Sequence, residues 1–262
     1  MTEQDTPSPG QSESASASAG ERKEPQRPKN LTLEVLEADS PRAELARQLE
    51  TQVLGEAFGN TPEQLRKEYG PYEAASTFLL VFDEEAQKPA GMFRFIHNSS
   101  AGLKTINDIE SNDPRYPWHR SFDEVLERNG LEFDRDRVLD IGVVVIAPEY
   151  QGRHESRDVA YALYRGLYAY SKATDREAWI AVLDDGVLKY TQQEMGAPFQ
   201  TFEGLESGPY IDSPASTPVY AVVADLPERV SHARDQGFYR KCILGEELPY
   251  VEIPSELDRI RP

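Results

Sequence analysis

The residues best placed to do chemistry stand in a short loop that follows an apolar stretch in the middle of the chain. The stretch 138–146 (VLDIGVVVI) predicts a buried strand, and the residues from Ser156 to about Thr174 predict a helix. Such a loop turns backbone amide hydrogens outward, and the helix dipole adds about half a positive charge there. The arrangement predicts a site for a phosphorylated ligand. Arg153, His154 and Arg157 supply a positive cluster beside it.

A carboxylate inside the same strand is the candidate acid–base group. Asp140 interrupts the apolar run, and burial would raise its pKa toward the range in which it takes a proton from an amine. Two structural alternatives are a half-exposed position at the start of the strand and an ion pair with Arg137. Gly142 indicates a β-bulge or the close approach of a ligand.

Composition narrows the classes of partner. Of the 262 residues, 46 are Asp or Glu and 28 are Lys or Arg, which gives a formal net charge of −18. A domain this acidic repels nucleic acids and anionic membranes, so we expect neither as a partner. The same charge favours a cationic amine as a small-molecule substrate.

Metal binding and secretion have no support in the sequence. Cys242 is the one cysteine, and the four histidines are scattered without the spacing of metal ligands. The N-terminus has no apolar signal region, and no segment approaches the roughly 18 apolar residues of a membrane span. We therefore expect a cytoplasmic protein without a metal site.

Three regions are predicted along the chain. Residues 1–30 lack large apolar side chains after Met1 and predict a disordered tail. Residues 31–226 predict one α/β domain around a mixed sheet, and 227–262 form a C-terminal extension packed on it or trailing it. Strands are predicted at 31–37, 76–83, 90–97, 138–146, 178–183 and 217–225. Helices are predicted from the Ser40-Pro41 start to Gly59, from Thr61 to Tyr69, over 121–130, from Ser156 to about Thr174 and from Asp184 to Met195.

This order of elements, with a central strand ending in VIAPEYQGR, resembles the GCN5-related N-acetyltransferase (GNAT) superfamily. The resemblance covers roughly residues 31–226. It implies a mostly antiparallel sheet flanked by helices, in which the central strand separates from its neighbour. It also implies that the pantetheine of acetyl-CoA or a longer acyl-CoA lies in that gap. The strand backbone at Val144, Val145 and Ile146 would then bind it.

The superfamily binds the pyrophosphate on a loop written [Q/R]-x-x-G-x-[G/A]. Gln151 matches its first position, and Gly152 and Arg153 fill the two free ones. His154 stands where the pattern has glycine, and Ser156 where it has glycine or alanine. Glycine lets the backbone approach the phosphates without an intervening Cβ, so this loop is either remodelled relative to the family or no longer binds CoA in the usual way.

A second element of the resemblance is the helix after the 178–183 strand, written N-x-x-A-x-x-L-Y-x-x-x-G-F. Counted back from Gly196, the tyrosine that protonates the departing thiolate in the family falls at Gln192. Tyr190 is the nearby candidate acid, although two residues place it about 200° around the helix.

These observations leave three functions open. The first is an acyltransferase that passes an acyl group from acyl-CoA to an amine in a ternary complex. The second is a GNAT-fold ligand-sensing or interaction module without activity, which the changes at His154, Ser156 and Gln192 favour. The third is an N-acyl synthase that takes its acyl group from a carrier protein, because the layout of the C-terminal half also resembles the autoinducer-synthase-like branch of the same fold.

Overall fold

A mixed sheet with helices on both faces organises the chain. The structure is a computed structural model that describes residues 30–152 and 154–258. Its nine described strands follow the order β6-β8-β5-β4-β3-β2-β1-β9, and β7 pairs with β8. The strand bounds are β1 Leu31–Glu37, β2 Ser76–Asp83, β3 Lys88–Ile96, β4 Val138–Ile146, β5 Ala178–Asp184, β6 Gln200–Thr201, β7 Gly208–Tyr210, β8 Ser213–Val222 and β9 Val251–Glu252.

Two of the strand pairings are parallel, β4 with β5 and β1 with β9, and the other pairings are antiparallel. The predicted mixed, mostly antiparallel sheet is therefore confirmed. The prediction for the N-terminal tail falls on residues 1–29, which lie outside the described part of the chain.

Helices divide between the two faces of the sheet. One face carries α5 (His154–Ala173), whose Tyr164 ring packs edge-on against the Phe93 ring of β3. The other face carries α1, whose Glu50 meets Arg94 of the same strand. The helices are α1 Ala43–Phe58, α2 Pro62–Tyr69, α3 Lys104–Glu110, α4 Phe122–Arg128, α5 His154–Ala173, α6 Asp185–Tyr190, α7 Leu226–Ser231 and α8 Ser255–Asp258.

Several helix boundaries differ from the sequence prediction. The Ser40 carbonyl accepts a hydrogen bond from the Ala43 amide in a turn. Helix α1 therefore begins at Ala43 and not at Pro41. Helix α5 begins at His154, which puts Ser156 inside the first turn and not at the N-cap. The helix after β5 continues past Tyr190 as a π-helical turn, Thr191–Met195. The short α3 lies in a region that has no periodic pattern.

The C-terminal segment packs on α5. Cys242 is buried and donates to the carbonyl of Tyr161 on that helix (3.5 Å). Strand β9 then pairs with the first two residues of β1. No helix in the described residues is long and apolar enough to cross a membrane.

Candidate active site

Strands β4 and β5 separate halfway along their length. They pair from Val138 opposite Ala178 to Ile141 opposite Ala181, and their described ladder has no pair beyond that point. At the point of separation the β3–β4 register slips, because Arg94 faces Val143 while Phe95 faces Ile141. Gly142 is the extra residue, so the predicted bulge is confirmed. A bulge bends its strand and increases the local twist, which turns the end of β4 away from β5.

A cleft with a volume of about 110 Å³ lies where the two strands part. We call it the β4/β5 cleft. Val144 and Val182 line its two sides. Leu54 and Phe58 at the end of α1 close it across the sheet face, together with Ile211 from the β7–β8 turn. The lining is mainly aliphatic and aromatic, which suits an apolar group.

Tyr69 forms a wall between this cleft and a second, larger depression. Its hydroxyl donates to the Gly142 carbonyl (3.0 Å), so it is fixed to the bulge itself. The second depression lies between α1 and α2, has a volume of about 580 Å³, and also has Tyr69 in its lining. We call it the α1/α2 groove. Burial, with the nearby Glu50 charge, raises the pKa of the Tyr69 phenol well above 10 and keeps it protonated.

The α1/α2 groove has a charged lining, whereas the lining of the β4/β5 cleft is mainly apolar. Arg94 lies on its floor and donates to both oxygens of Glu50 (3.2 and 2.7 Å) and to Glu73 (2.7 Å). Although burial disfavours the charged guanidinium, the carboxylates of Glu50 and Glu73 outweigh this and raise the pKa of Arg94. The charged residues that line the groove are Glu44, Arg47, Glu50, Arg66, Glu73 and Arg94.

Side-chain hydrogen bonds connect the loop after β4 to the ends of β2 and β4. The Tyr150 hydroxyl donates to Asp83, and the Gln151 side-chain amide donates to the Ile146 carbonyl (2.8 Å). Gly152 has φ of +73°, and an added Cβ there would meet no heavy atom within 4 Å. Arg153 and the side chain of His154 lie outside the described residues. The Glu149 carboxylate pairs with Lys88 (2.7 Å).

The candidate acid and its neighbours lie away from the β4/β5 cleft. Tyr190 is 47% exposed, and its hydroxyl pairs with Arg157, which also pairs with Glu194 (3.3 Å). The Gln192 amide donates to the Phe199 carbonyl (2.9 Å). Neither Tyr190 nor Gln192 is among the cleft residues.

Asp140 is fully buried on the α3 side of the sheet. Its two oxygens accept from the Thr105 amide (2.6 Å) and hydroxyl (2.7 Å), so it fixes the start of α3 to β4. Neither structural alternative holds, because Asp140 has no exposed surface and Arg137 pairs with Asp175. Burial raises the pKa of Asp140 to about 7, and the Thr105 hydrogen bonds act against the rise. Its role as a base remains a prediction, since it does not line the cleft.

The raised pKa has a consequence for stability. Because the folded state binds a proton on Asp140 that the unfolded chain releases near pH 4, its contribution to stability is lost as pH rises from about 4 to 7. Asp140→Asn should remove this loss. Its free energy of unfolding relative to wild type should increase by a few kcal/mol over that range, at about 1.4 kcal/mol per unit of pKa shift.

Urea unfolding at a series of pH values measures this difference. Asp175→Asn is the matched control, because the Asp175 side chain is 89% exposed and its substitution should show no such trend. Parallel pH curves for wild type and Asp140→Asn would contradict the assignment.

A buried ionic cluster anchors the β7–β8 hairpin next to the cleft. The Tyr210 hydroxyl donates to Asp108 (2.7 Å) and accepts from Lys104 (3.1 Å), and Lys104 pairs with Asp108 (2.6 Å). Burial raises the pKa of Asp108, although Lys104 and Tyr210 oppose the rise. No group of three or more His, Cys, Asp or Glu residues suited to a metal ion occurs in the described part of the chain.

Three residues that shape the site were not predicted from the sequence. They are Tyr69, Arg94 and Tyr210. Arg94 carried a usable signal, since a charged residue inside the apolar strand AGMFRFIH must find a buried partner. Tyr69 and Tyr210 carried no such signal, because tyrosines are frequent in this chain.

Comparison with known proteins supports the fold. No family model and no curated protein matches the chain. Solved structures do match. FeeM, an N-acyl amino acid synthase from uncultured soil microbes, matches with a TM-score of 0.53 and 13% identity, over 76% of this chain and 94% of its own.

Two acyl-homoserine lactone synthases also match. The CoA-dependent BjaI has a TM-score of 0.51 and 12% identity, over 88% of this chain and 97% of its own. The AHL synthase LasI has a TM-score of 0.50 and 15% identity, over 75% of this chain and 91% of its own. At these identities the likeness concerns the fold, and the chain has a divergent GNAT-like fold.

Proposed function

We propose that this protein is an acyltransferase that moves an acyl group from the thioester of an acyl-CoA to a small-molecule amine. The observation that carries the proposal is the separation of β4 and β5 at the Gly142 bulge, with an apolar cleft in the gap. A thioester lying between the strands would place its acyl end among Leu54, Phe58 and Ile211. FeeM is an N-acyl amino acid synthase and BjaI a CoA-dependent acyl-homoserine lactone synthase, which is in keeping with this chemistry.

The donor site would combine strand backbone and loop. We assign the pantetheine to Val144, Val145 and Ile146, beyond the last β4–β5 pair. The phosphates would lie at the start of α5, near the residues Gln151, Gly152, Arg153, His154, Ser156 and Arg157. The open space beside Gly152 supports this placement, since a phosphate can approach a backbone that no side chain covers.

The amine acceptor would occupy the α1/α2 groove. Six charged side chains line this groove, whereas Asp184 is the one charged residue in the lining of the β4/β5 cleft. The two substrates would meet beside Tyr69, which borders both spaces. The amine nitrogen would attack the thioester carbon, the carbon–sulfur bond would break, and the thiol would leave with one proton as the amide forms.

Two groups remain proposed for proton transfer. Asp140 would act through the Thr105 hydroxyl and not by direct contact, because both of its oxygens are bound there. Tyr190 would need to move from Arg157 toward the departing thiolate. Asp140→Asn should remove the limb of the pH–rate profile near pH 7 if Asp140 is the base, and Tyr190→Phe should lower kcat if Tyr190 is the acid.

The test of the proposal is direct binding followed by turnover. Isothermal titration calorimetry with acetyl-CoA and longer acyl-CoAs should give saturable binding, and release of CoA thiol should require an added amine. Absence of binding at millimolar ligand would exclude acyl-CoA transfer and leave the non-enzymatic module. Turnover with acyl carrier protein but not with acyl-CoA would instead identify the carrier-dependent synthase.

A further inference from the structure

The β7–β8 turn holds a residue in a backbone conformation that its type disfavours. Tyr210 and Ser213 pair across the hairpin, which leaves Ile211 and Asp212 as a two-residue turn. Both have positive φ, +42° and +63°. Turns of this kind strongly favour Asn-Gly or Asp-Gly, and a β-branched residue at positive φ is a clear outlier.

Contacts on both sides of Ile211 maintain the strain. On one side the Tyr210 hydroxyl is bound to Asp108 and Lys104 in the buried cluster. On the other side the Asp212 carboxylate accepts from Asn60 (2.7 Å) at the end of α1 and from Gln64 (3.4 Å) in α2. The turn is therefore fixed to the same helices that close the β4/β5 cleft.

The strained side chain has a defined position. Ile211 lines the β4/β5 cleft together with Phe58 and Val187. Strained residues persist where the surrounding structure holds them and are concentrated at functional sites. A glycine or asparagine here would relieve the backbone but would leave the end of the cleft open.

We infer that Ile211 is a specificity-determining residue that closes the end of the acyl cleft and restricts the donor to short acyl chains. This inference rests on the proposed function, because it concerns which acyl thioester that site accepts. The cleft volume of about 110 Å³ is well below the roughly 300–1,000 Å³ of sites for larger ligands. Wild type should accordingly prefer acetyl- and butyryl-CoA to octanoyl- and decanoyl-CoA.

The test compares wild type with Ile211→Gly and Ile211→Ala over this acyl-CoA series. Both variants lengthen the cleft, but only glycine also relieves the backbone, so a shift shared by both identifies space as the cause. We expect the decanoyl-to-butyryl ratio of kcat/KM to rise about 10-fold or more, since even one methylene in an apolar pocket gives a difference of that order. The Ile211→Gly protein should melt no lower than Ile211→Ala.

Gln87→Gly is the matched control for strain relief. Gln87 has φ of +52° in the exposed turn between β2 and β3, and it does not line the cleft. It should leave the acyl preference unchanged.

A binding series separates this inference from the proposed function. Dissociation constants for non-hydrolysable acyl-CoA thioethers of the same lengths are measured by calorimetry on wild type and both variants. Binding or turnover with a length profile that is the same in wild type and both variants overturns the role of Ile211 alone. If wild type neither binds nor turns over any donor of the series, the proposed function falls and the inference falls with it.

Discussion

Val182→Phe should reduce turnover of acyl-CoA by at least about 100-fold, because it places an aromatic ring in the gap that the thioester needs. Val182 is the first residue of β5 beyond its last pair with β4, and it lines the cleft. The larger phenylalanine side chain would reduce the space in a cleft of only about 110 Å³. Misplacing reacting atoms by about 1 Å already costs on the order of 100-fold in rate.

Steady-state release of CoA thiol, with acetyl-CoA and a responsive amine, measures the effect. Val35→Phe makes the same change on β1, where the side chain is 36% exposed and distant from the cleft. It should retain wild-type kcat/KM, and melting curves would show that both variants fold. Unchanged kcat/KM in a folded Val182→Phe protein would place the donor elsewhere.

Arg94→Met should lower the free energy of unfolding by about 3–5 kcal/mol, because it leaves a buried carboxylate without its partner. The side chains of Arg94 and Glu50 are 3% and 4% exposed, so water cannot replace the lost contacts. Arg94 also donates to the Ser76 hydroxyl (3.2 Å) and packs over the rings of Phe78 and Tyr69. Urea unfolding at neutral pH measures the loss.

A second substitution tests the cause of that loss. Removing both charges with Arg94→Met and Glu50→Leu should recover part of the stability, because an apolar pair of similar volume can replace a buried ion pair. Arg240→Met breaks the exposed pair with Glu246 and should change stability little. If the double variant were no more stable than Arg94→Met, the unpaired Glu50 charge would not be the reason.

The sequence predicted the parts of the fold that rest on periodicity and on start or stop residues. The alternation of LTLEVLE placed β1, the Thr61 capping box placed α2, and Gly59, with φ of +76°, ended α1. Gly142 marked the bulge that separates the two central strands. Each of these signals lies within or next to the element that it marks, so it can be recognised from the sequence alone.

The lining of the site escaped prediction because long-range contacts decide it. Helix α3 is short, and beside Ile106 and Ile109 it buries three polar residues. These are Lys104, Thr105 and Asp108, whose partners on other elements are Glu68, Asp140 and Tyr210. The β7–β8 turn has no glycine or asparagine, and its conformation is imposed by Asn60 and the Tyr210 anchor. Two candidates chosen from the sequence, Asp140 and Tyr190, are not among the residues that line the cleft.

The position of Tyr69 bears on how the proposed acyltransferase would respond to an excess of either substrate. The linings of the cleft and the groove have this one residue in common. A donor in the proposed cleft would leave the groove proposed for the acceptor free, and the reverse also holds. The two ligands should then add in either order, with intersecting initial-velocity lines and a rate that levels off without substrate inhibition.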